Sequence, residues 1–123
     1  MSYTIRPAAS RSYIVLKIKG DLTSEMALRQ DLEAHFLGKK LGISRYLVDA
    51  TESRNVDSVS NNYDFAFKDI MISPDIDKNA RVALLVSPED NSHDFVETVA
   101  RNAGLDVTLF RDRDLAIRHL LRD

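Results

Sequence analysis

Three side chains of this sequence, one carboxylate and two hydroxyls, are placed where they could take part in chemistry. Asp49 lies near the end of the apolar run Tyr46–Ala50. Ser58 and Ser60 follow a short polar stretch. If the run is a strand and the serines begin a helix, the end of the strand and the positive end of the helix dipole meet at one edge of a sheet. A phosphate on a serine there would meet free backbone N–H groups and bring about −1.5 to −2 charges. The pattern predicts a regulated partner-binding or phosphorylation site at Asp49, Thr51, Asp57, Ser58 and Ser60.

The same residues also have a purely structural interpretation. Asp49 would accept backbone hydrogen bonds in a turn, and Ser58 would only cap a helix. Serine and aspartate are the ordinary residues of helix starts, so the residue types alone favour this simpler interpretation.

The histidines show no metal-binding pattern. His35, His93 and His119 fall on different predicted helices, whereas a metal site needs at least three converging ligands. One local cluster combines a histidine with Asp90 and Asp94, but acids near a predicted helix start are typical of a capped first turn. We therefore expect neither a metal ion nor a cofactor.

Motifs of the common enzyme classes are absent from the sequence. There is no G-x-S-x-G turn, and the four glycines form no G-x-G-x-x-G loop. The lack of cysteine excludes thiolate nucleophiles and disulfides. We expect a binding protein rather than an enzyme, and a catalytic site assembled from distant residues is the third alternative.

The composition indicates one ordinary globular domain over residues 1–123. Hydrophobic residues make up 44% of the chain and charged residues 29%. The net charge of −2 argues against nucleic acid as a partner, because phosphate binding needs a basic surface. The N-terminus lacks the pattern of a signal peptide, and the longest apolar runs are too short to cross a bilayer, so we expect a cytoplasmic protein without a transmembrane segment.

Strand and helix patterns alternate along the chain and predict the order β-β-α-β-α-β-α-β-α. The predicted strands are Tyr3–Arg6, Ser12–Lys19, Tyr46–Ala50, Val82–Val86 and Val107–Phe110. Such alternation predicts an α/β fold with a mixed, mostly parallel sheet of four or five strands and about four flanking helices. The first two strands should form an antiparallel hairpin. Periodicity does not give the strand order.

The helix limits follow from capping residues. The first helix should be capped by Asp21, Thr23 or Ser24 and end at Gly42, with Leu28, Leu32 and Phe36 facing the core. Thr51–Asp57 is predicted to be a polar loop before a helix over 58–72. Ser87 and Pro88 predict the start of a further helix that ends at Gly104, and the last helix should run from about Asp112 to Leu121.

The predicted helix over 58–72 has more large apolar side chains than one core face needs. These residues are Tyr63, Phe65, Phe67, Ile70, Met71 and Ile72. They are candidates for an apolar ligand contact or a homodimer contact, and the dimer contact is the more general explanation because symmetric dimers are common.

The segments 46–51 and 107–121 resemble those of the STAS superfamily, closest to its SpoIIAA-like branch of bacterial proteins, which are also described as STAS/SEC14-like. The resemblance covers nearly the whole chain. It implies a SpoIIAA-like sheet flanked by helices, and the function of a regulatory protein-interaction module like the anti-sigma-factor antagonists. Its SEC14-like side implies the alternative of a carrier for a small apolar ligand or a lipid.

In anti-sigma-factor antagonists, the helix after this strand begins with Asp-Ser-Ser-Gly, and a partner kinase phosphorylates the second serine. Asp57 and Ser58 match the first two positions of that run. Val59 stands at the phosphorylated position, and Ser60 replaces the glycine. Since valine cannot accept a phosphate, the resemblance implies a module without the standard phosphoserine switch, unless Ser58 or Ser60 takes that role.

Overall fold

The computed structural model describes residues 2–56, 77 and 79–122. Their strands form one sheet in the order β1-β2-β3-β4-β5, where β1 is Ser2–Pro7, β2 Ile14–Leu22, β3 Arg45–Asn55, β4 Arg81–Val86 and β5 Asp106–Phe110. β1 runs antiparallel to β2, and the other neighbouring strands are parallel. The described helices are α1 (Ser24–Leu41), α2 (Asp94–Asn102) and α3 (Arg113–Leu121). The mixed, mostly parallel sheet predicted from the sequence is confirmed.

The helices lie on both faces of the sheet. α1 and α2 pack on the face that contains Val48, whereas α3 packs on the opposite face, where Ala116 and Leu120 contact Leu47 and its neighbours. Right-handed crossovers between consecutive parallel strands place their helices on the same side, and the helix after the last strand is free to cover the other side. The sheet is thus the middle layer of three.

The limits of α1 agree with the predicted capping signals, but its buried face does not. Thr23 Oγ1 accepts a hydrogen bond from the Met26 amide at 3.3 Å, and Gly42 ends the helix with φ of 71°. The predicted core residue Phe36 is 74% exposed, and the buried residues are instead Ser24, Gln30, Ala34, His35 and Gly38. A Cβ on Gly38 would lie 1.9 Å from the Tyr46 hydroxyl. The helix approaches β3 so closely that Gly38 lies against Tyr46, while the large side chain of Phe36 points to solvent.

β3 is longer than predicted, because most of the supposed polar loop after Ala50 continues the strand to Asn55. The extension is paired with the end of β2, where Lys19 is opposite Glu52 and Leu22 is opposite Asn55 after an irregularity in the register. The strand partners of this extension belong to β2, so the polar residues of the segment itself do not reveal that it is a strand.

α2 begins later than predicted. The Asp90 amide donates to the Ser87 carbonyl, and the Asp90 carboxylate accepts a hydrogen bond from the Ser92 amide. Such local side-chain bonds compete with helix formation, so these residues form turns and the helix starts at Asp94.

The predicted helix over 58–72 lies outside the described residues. So do the candidates Asp57, Ser58, Ser60, Tyr63, Phe65, Phe67, Ile70, Met71 and Ile72. None of the helices in the described ranges is long and apolar enough to span a membrane.

Candidate functional site

Asp49 lies on β3, and its carboxylate accepts three hydrogen bonds. Its Oδ1 accepts from the Thr51 amide at 3.1 Å and from the Thr51 hydroxyl at 2.6 Å, and its Oδ2 pairs with an Arg113 guanidinium nitrogen at 2.6 Å. Burial raises the pKa of Asp49, but the bonds from Thr51 and Arg113 outweigh it and hold the pKa below its ordinary value. The carboxylate is therefore ionised, paired and enclosed.

The side chain of Asp49 is only 2% exposed, so it does not itself offer a docking group. Its partner Arg113 is accessible from the surface, because the Arg113 side chain is half exposed. Thr51 is part-buried beside it. Of the predicted site residues, the structure thus brings together Asp49 and Thr51 and adds Arg113, which the sequence analysis missed.

Arg113 is the first residue of α3, and its side chain extends from the start of that helix to Asp49. Asp112 caps the helix by accepting hydrogen bonds from the amides of Asp114 and Leu115 at 2.9 and 3.2 Å. Leu115, in the first turn, is 50% exposed. We use the name Arg113 corner for Thr51, Arg113 and Leu115, which lie next to Asp49 or in the first turn of α3.

A cavity of about 160 Å³ is present on the other face of the sheet, between α1, α2 and the strands. Its floor consists of apolar strand residues such as Leu16, Ile18, Val48 and Leu84. Ala27 of α1 and Val96 of α2 contribute to its walls. The lining is mostly apolar.

Two ionisable residues one helical turn apart, Asp31 and His35, also line the cavity. Burial raises the pKa of Asp31 to about 7. The ring of His35 stacks on Tyr46 with centroids 4.5 Å apart, and its Nδ1 accepts a hydrogen bond from the Asp77 amide at 2.9 Å. Burial lowers the pKa of His35, so this ring is neutral at pH 7.

The predicted cluster of Asp90, His93 and Asp94 does not converge on a common point. His93 Nε2 lies 3.3 Å from the Ser53 carbonyl oxygen and 3.7 Å from Asp90 Oδ2, while Asp94 pairs with Arg111. In the part of the chain that the structure describes, no three histidine or acidic side chains are grouped to hold a metal ion.

Comparison with known proteins identifies the fold. No protein-family model and no curated protein matches the chain. Among solved structures, it is similar to an uncharacterized protein of the DUF3478 family with a SpoIIAA-like fold from Shewanella loihica PV-4, with a TM-score of 0.53 and 20% identity over 97% of this chain and 92% of that one. It is also similar to the phosphorylated form of the Bacillus cell fate determinant SpoIIAA, with a TM-score of 0.55 and 12% identity over 97% of this chain and 99% of that one. The predicted fold is confirmed by these similarities.

Proposed function

We propose, from the SpoIIAA-like fold of this chain, that it is a non-enzymatic regulatory module of the bacterial cytoplasm that binds a protein partner at the Arg113 corner. The observation that carries the proposal is the contact of 2.6 Å between the buried Asp49 carboxylate and the half-exposed Arg113. Arg113 is held in place before any partner arrives.

A fixed arginine is well suited to protein binding. Ordering a long side chain at an interface costs free energy, and an arginine that is already restrained loses less. Arginine is also enriched among the residues that contribute most to binding. Leu115, two residues further along α3, is an exposed apolar side chain in the same helix turn. A restrained guanidinium favours a partner surface that carries an acidic group.

Asp49 is poorly suited to catalysis. A general base works best with a pKa near the operating pH, whereas the bonds to Asp49 keep its pKa below the ordinary value. The carboxylate is better explained as the anchor of the binding surface.

Regulation of partner binding by a phosphate group is part of the proposed function. Asp57, Ser58 and Ser60 follow β3 in the chain and remain candidates for the partner-binding or phosphorylated site. With Val59 at the standard position, a phosphate would have to be carried by one of the flanking serines.

Leu115→Glu tests the binding surface, and Leu121→Glu is its matched control. Leu121 is 44% exposed on the same helix but at its opposite end. We expect the tagged full chain to capture a partner from bacterial extract, with at least about tenfold less of it on Leu115→Glu. Quantitative mass spectrometry measures the ratio. Equal capture by both variants and the wild type, or equal loss from both, would contradict the proposed surface.

A second function, binding of a small apolar ligand, is supported by the cavity of about 160 Å³. An apolar cavity of about 150 Å³ in another protein is large enough for benzene. The apolar residues Tyr63, Phe65, Phe67, Ile70, Met71 and Ile72 are the further candidates for a ligand or homodimer contact. Native mass spectrometry separates the two roles, because a co-purifying small molecule supports the carrier and a ligand-free dimer supports the subunit contact.

A further inference from the structure

We infer that the chain forms a homodimer in which the free edge of β1 pairs with β1 of a second copy, and α1 packs beside its copy through Phe36. A groove runs between β1 and α1, and we call it the β1 groove. It is lined by Ile5, Leu32, Glu33, Phe36, Leu37 and Lys39. This surface is separate from the Arg113 corner. The residues 57–76 join β3 to β4, and β2 separates both of these strands from β1.

The two edges of the sheet differ in how their backbone groups are covered. At the β5 edge, Arg101 on α2 donates a hydrogen bond to the Val107 carbonyl. Glu97 on the same helix accepts a hydrogen bond from the Leu109 amide. In the described ranges, no side chain bonds to the backbone of β1. An uncovered edge strand is where a further strand adds to a sheet, so β1 is the edge open to a second chain.

The outward backbone groups of β1 belong to its odd-numbered residues. The Ala8 amide donates to the Tyr13 carbonyl, which continues the register of β1 with β2. In an antiparallel pair, the residues that bond to the neighbouring strand alternate, so the even-numbered residues bond to β2. Tyr3 and Ile5 therefore direct their amides and carbonyls outward. Pro7 also lies in this outward row, where a strand tolerates a residue without an N–H.

A second copy of β1 fits this edge in antiparallel orientation about a two-fold axis at Thr4. Tyr3 of each copy is then opposite Ile5 of the other, and their outward amides and carbonyls form four hydrogen bonds. The side chains of these two residues meet as pairs of an aromatic ring and a β-branched residue, which are favourable across strands. Arg6 comes opposite Ser2, so like charges do not face each other.

The same axis passes close to Phe36 on α1. Tyr3 bonds to Glu33, and Ile5 lines the β1 groove with Leu37, so the strand and the helix advance side by side. The middle of β1 is therefore level with Phe36, which is 74% exposed. Edge pairing places α1 of both copies on one face of the joined sheet. Phe36 of each copy then fills the space between the helices and loses its exposure to water.

The charges beside Phe36 are complementary to themselves about this axis. Glu33 and Lys39 are both exposed in the β1 groove, three residues before and three residues after Phe36. Because the two-fold axis makes α1 antiparallel to its copy, Glu33 of each chain comes to lie beside Lys39 of the other. Two ion pairs then flank the apolar centre. This pattern favours a second copy of the chain, rather than a different protein, as the occupant of the groove.

Phe36→Glu tests the apolar centre, and Leu121→Glu on α3 is its matched control at another exposed apolar site. Sedimentation equilibrium of the full chain should give twice the monomer mass of 13.9 kDa at high concentration. We expect Phe36→Glu to raise the Kd of the dimer at least about tenfold, because it places two carboxylates at the axis, and Leu121→Glu to leave it unchanged. A monomer at concentrations up to about 1 mM, or a dimer that Phe36→Glu leaves intact, would overturn the inference.

Reversing one charge at a time tests the two-fold arrangement. Glu33→Lys and Lys39→Glu should each raise the Kd about tenfold, since each sets like charges face to face. An equal mixture of these two variants should dimerise nearly as tightly as the wild type, because both ion pairs of the mixed dimer join opposite charges. A variant that merely fails to fold could not be restored in this way. A mixture no tighter than the single variants would contradict the arrangement.

Hydrogen exchange distinguishes edge pairing from a contact of the helices alone. The amides of Tyr3 and Ile5 should exchange more slowly in the wild-type dimer than in Phe36→Glu. The Thr4 amide, which bonds to β2 in both states, is the internal control and should change little. If Tyr3 and Ile5 exchange as fast in the dimer as in the monomer, the strands do not pair and the proposed dimer is wrong.

Discussion

At the scale of single residues, Asp49 and Asp31 show how the surroundings of a carboxylate set its pKa. Asp49 is bonded to Thr51 and Arg113, and these bonds overcome the effect of burial on its pKa. Burial raises the pKa of Asp31 to about 7. Asp49 is therefore ionised at neutral pH, whereas Asp31 exchanges a proton there.

Asp31→Asn should therefore increase stability at alkaline pH. The pKa of Asp31 is raised from 3.8 to about 7 on folding, so the folded state keeps a proton that the unfolded state releases. Stability is then lost as the pH rises between these two values. We expect the variant to gain about 2 kcal/mol relative to wild type between pH 5 and pH 8. Urea denaturation at both pH values measures this gain, and a constant difference would contradict it.

At the scale of elements, α1 shows which features local sequence determines. Thr23 and Gly42 set the ends of the helix, because capping depends on residues within one turn. The buried face was predicted wrongly, because it depends on Tyr46 in a different strand. Likewise, the length of β3 depends on pairing with β2, which no local pattern reveals.

Gly38→Ala tests the close approach of α1 to β3. The new Cβ would lie 1.9 Å from the Tyr46 hydroxyl and 2.7 Å from the Ile43 carbonyl oxygen. Forcing atoms into so tight a contact shifts the helix, and we expect a loss of about 1–3 kcal/mol in the free energy of unfolding, measured by urea denaturation. Tyr46→Phe in the same chain should restore part of the loss, because it removes the nearest atom. A neutral or stabilising Gly38→Ala would show that the helix has room to move.

At the scale of the whole molecule, the sequence predicts the layers better than the sites. Alternating strand and helix patterns were enough for the mixed sheet, but Asp49 and Thr51, predicted at and just after the end of the central strand, lie within it because β3 continues to Asn55. Arg113 is 64 residues from Asp49, and no pattern links the two. The cavity combines residues from α1, α2 and several strands, so it exists only once the chain has folded.

Two serines, one before and one after β3, provide the last prediction. Ser58 follows β3 in the sequence, whereas the exposed Ser44 immediately precedes β3. If phosphate regulates docking, Ser58→Asp should change partner affinity by about tenfold, because charge near an interface adds or removes attraction. Ser44→Asp adds the same charge before β3 and should have little effect on partner affinity. The affinities are measured by titration with the captured partner. Equal effects of the two variants would mean that net charge, and not the position of the charge in the chain, controls binding.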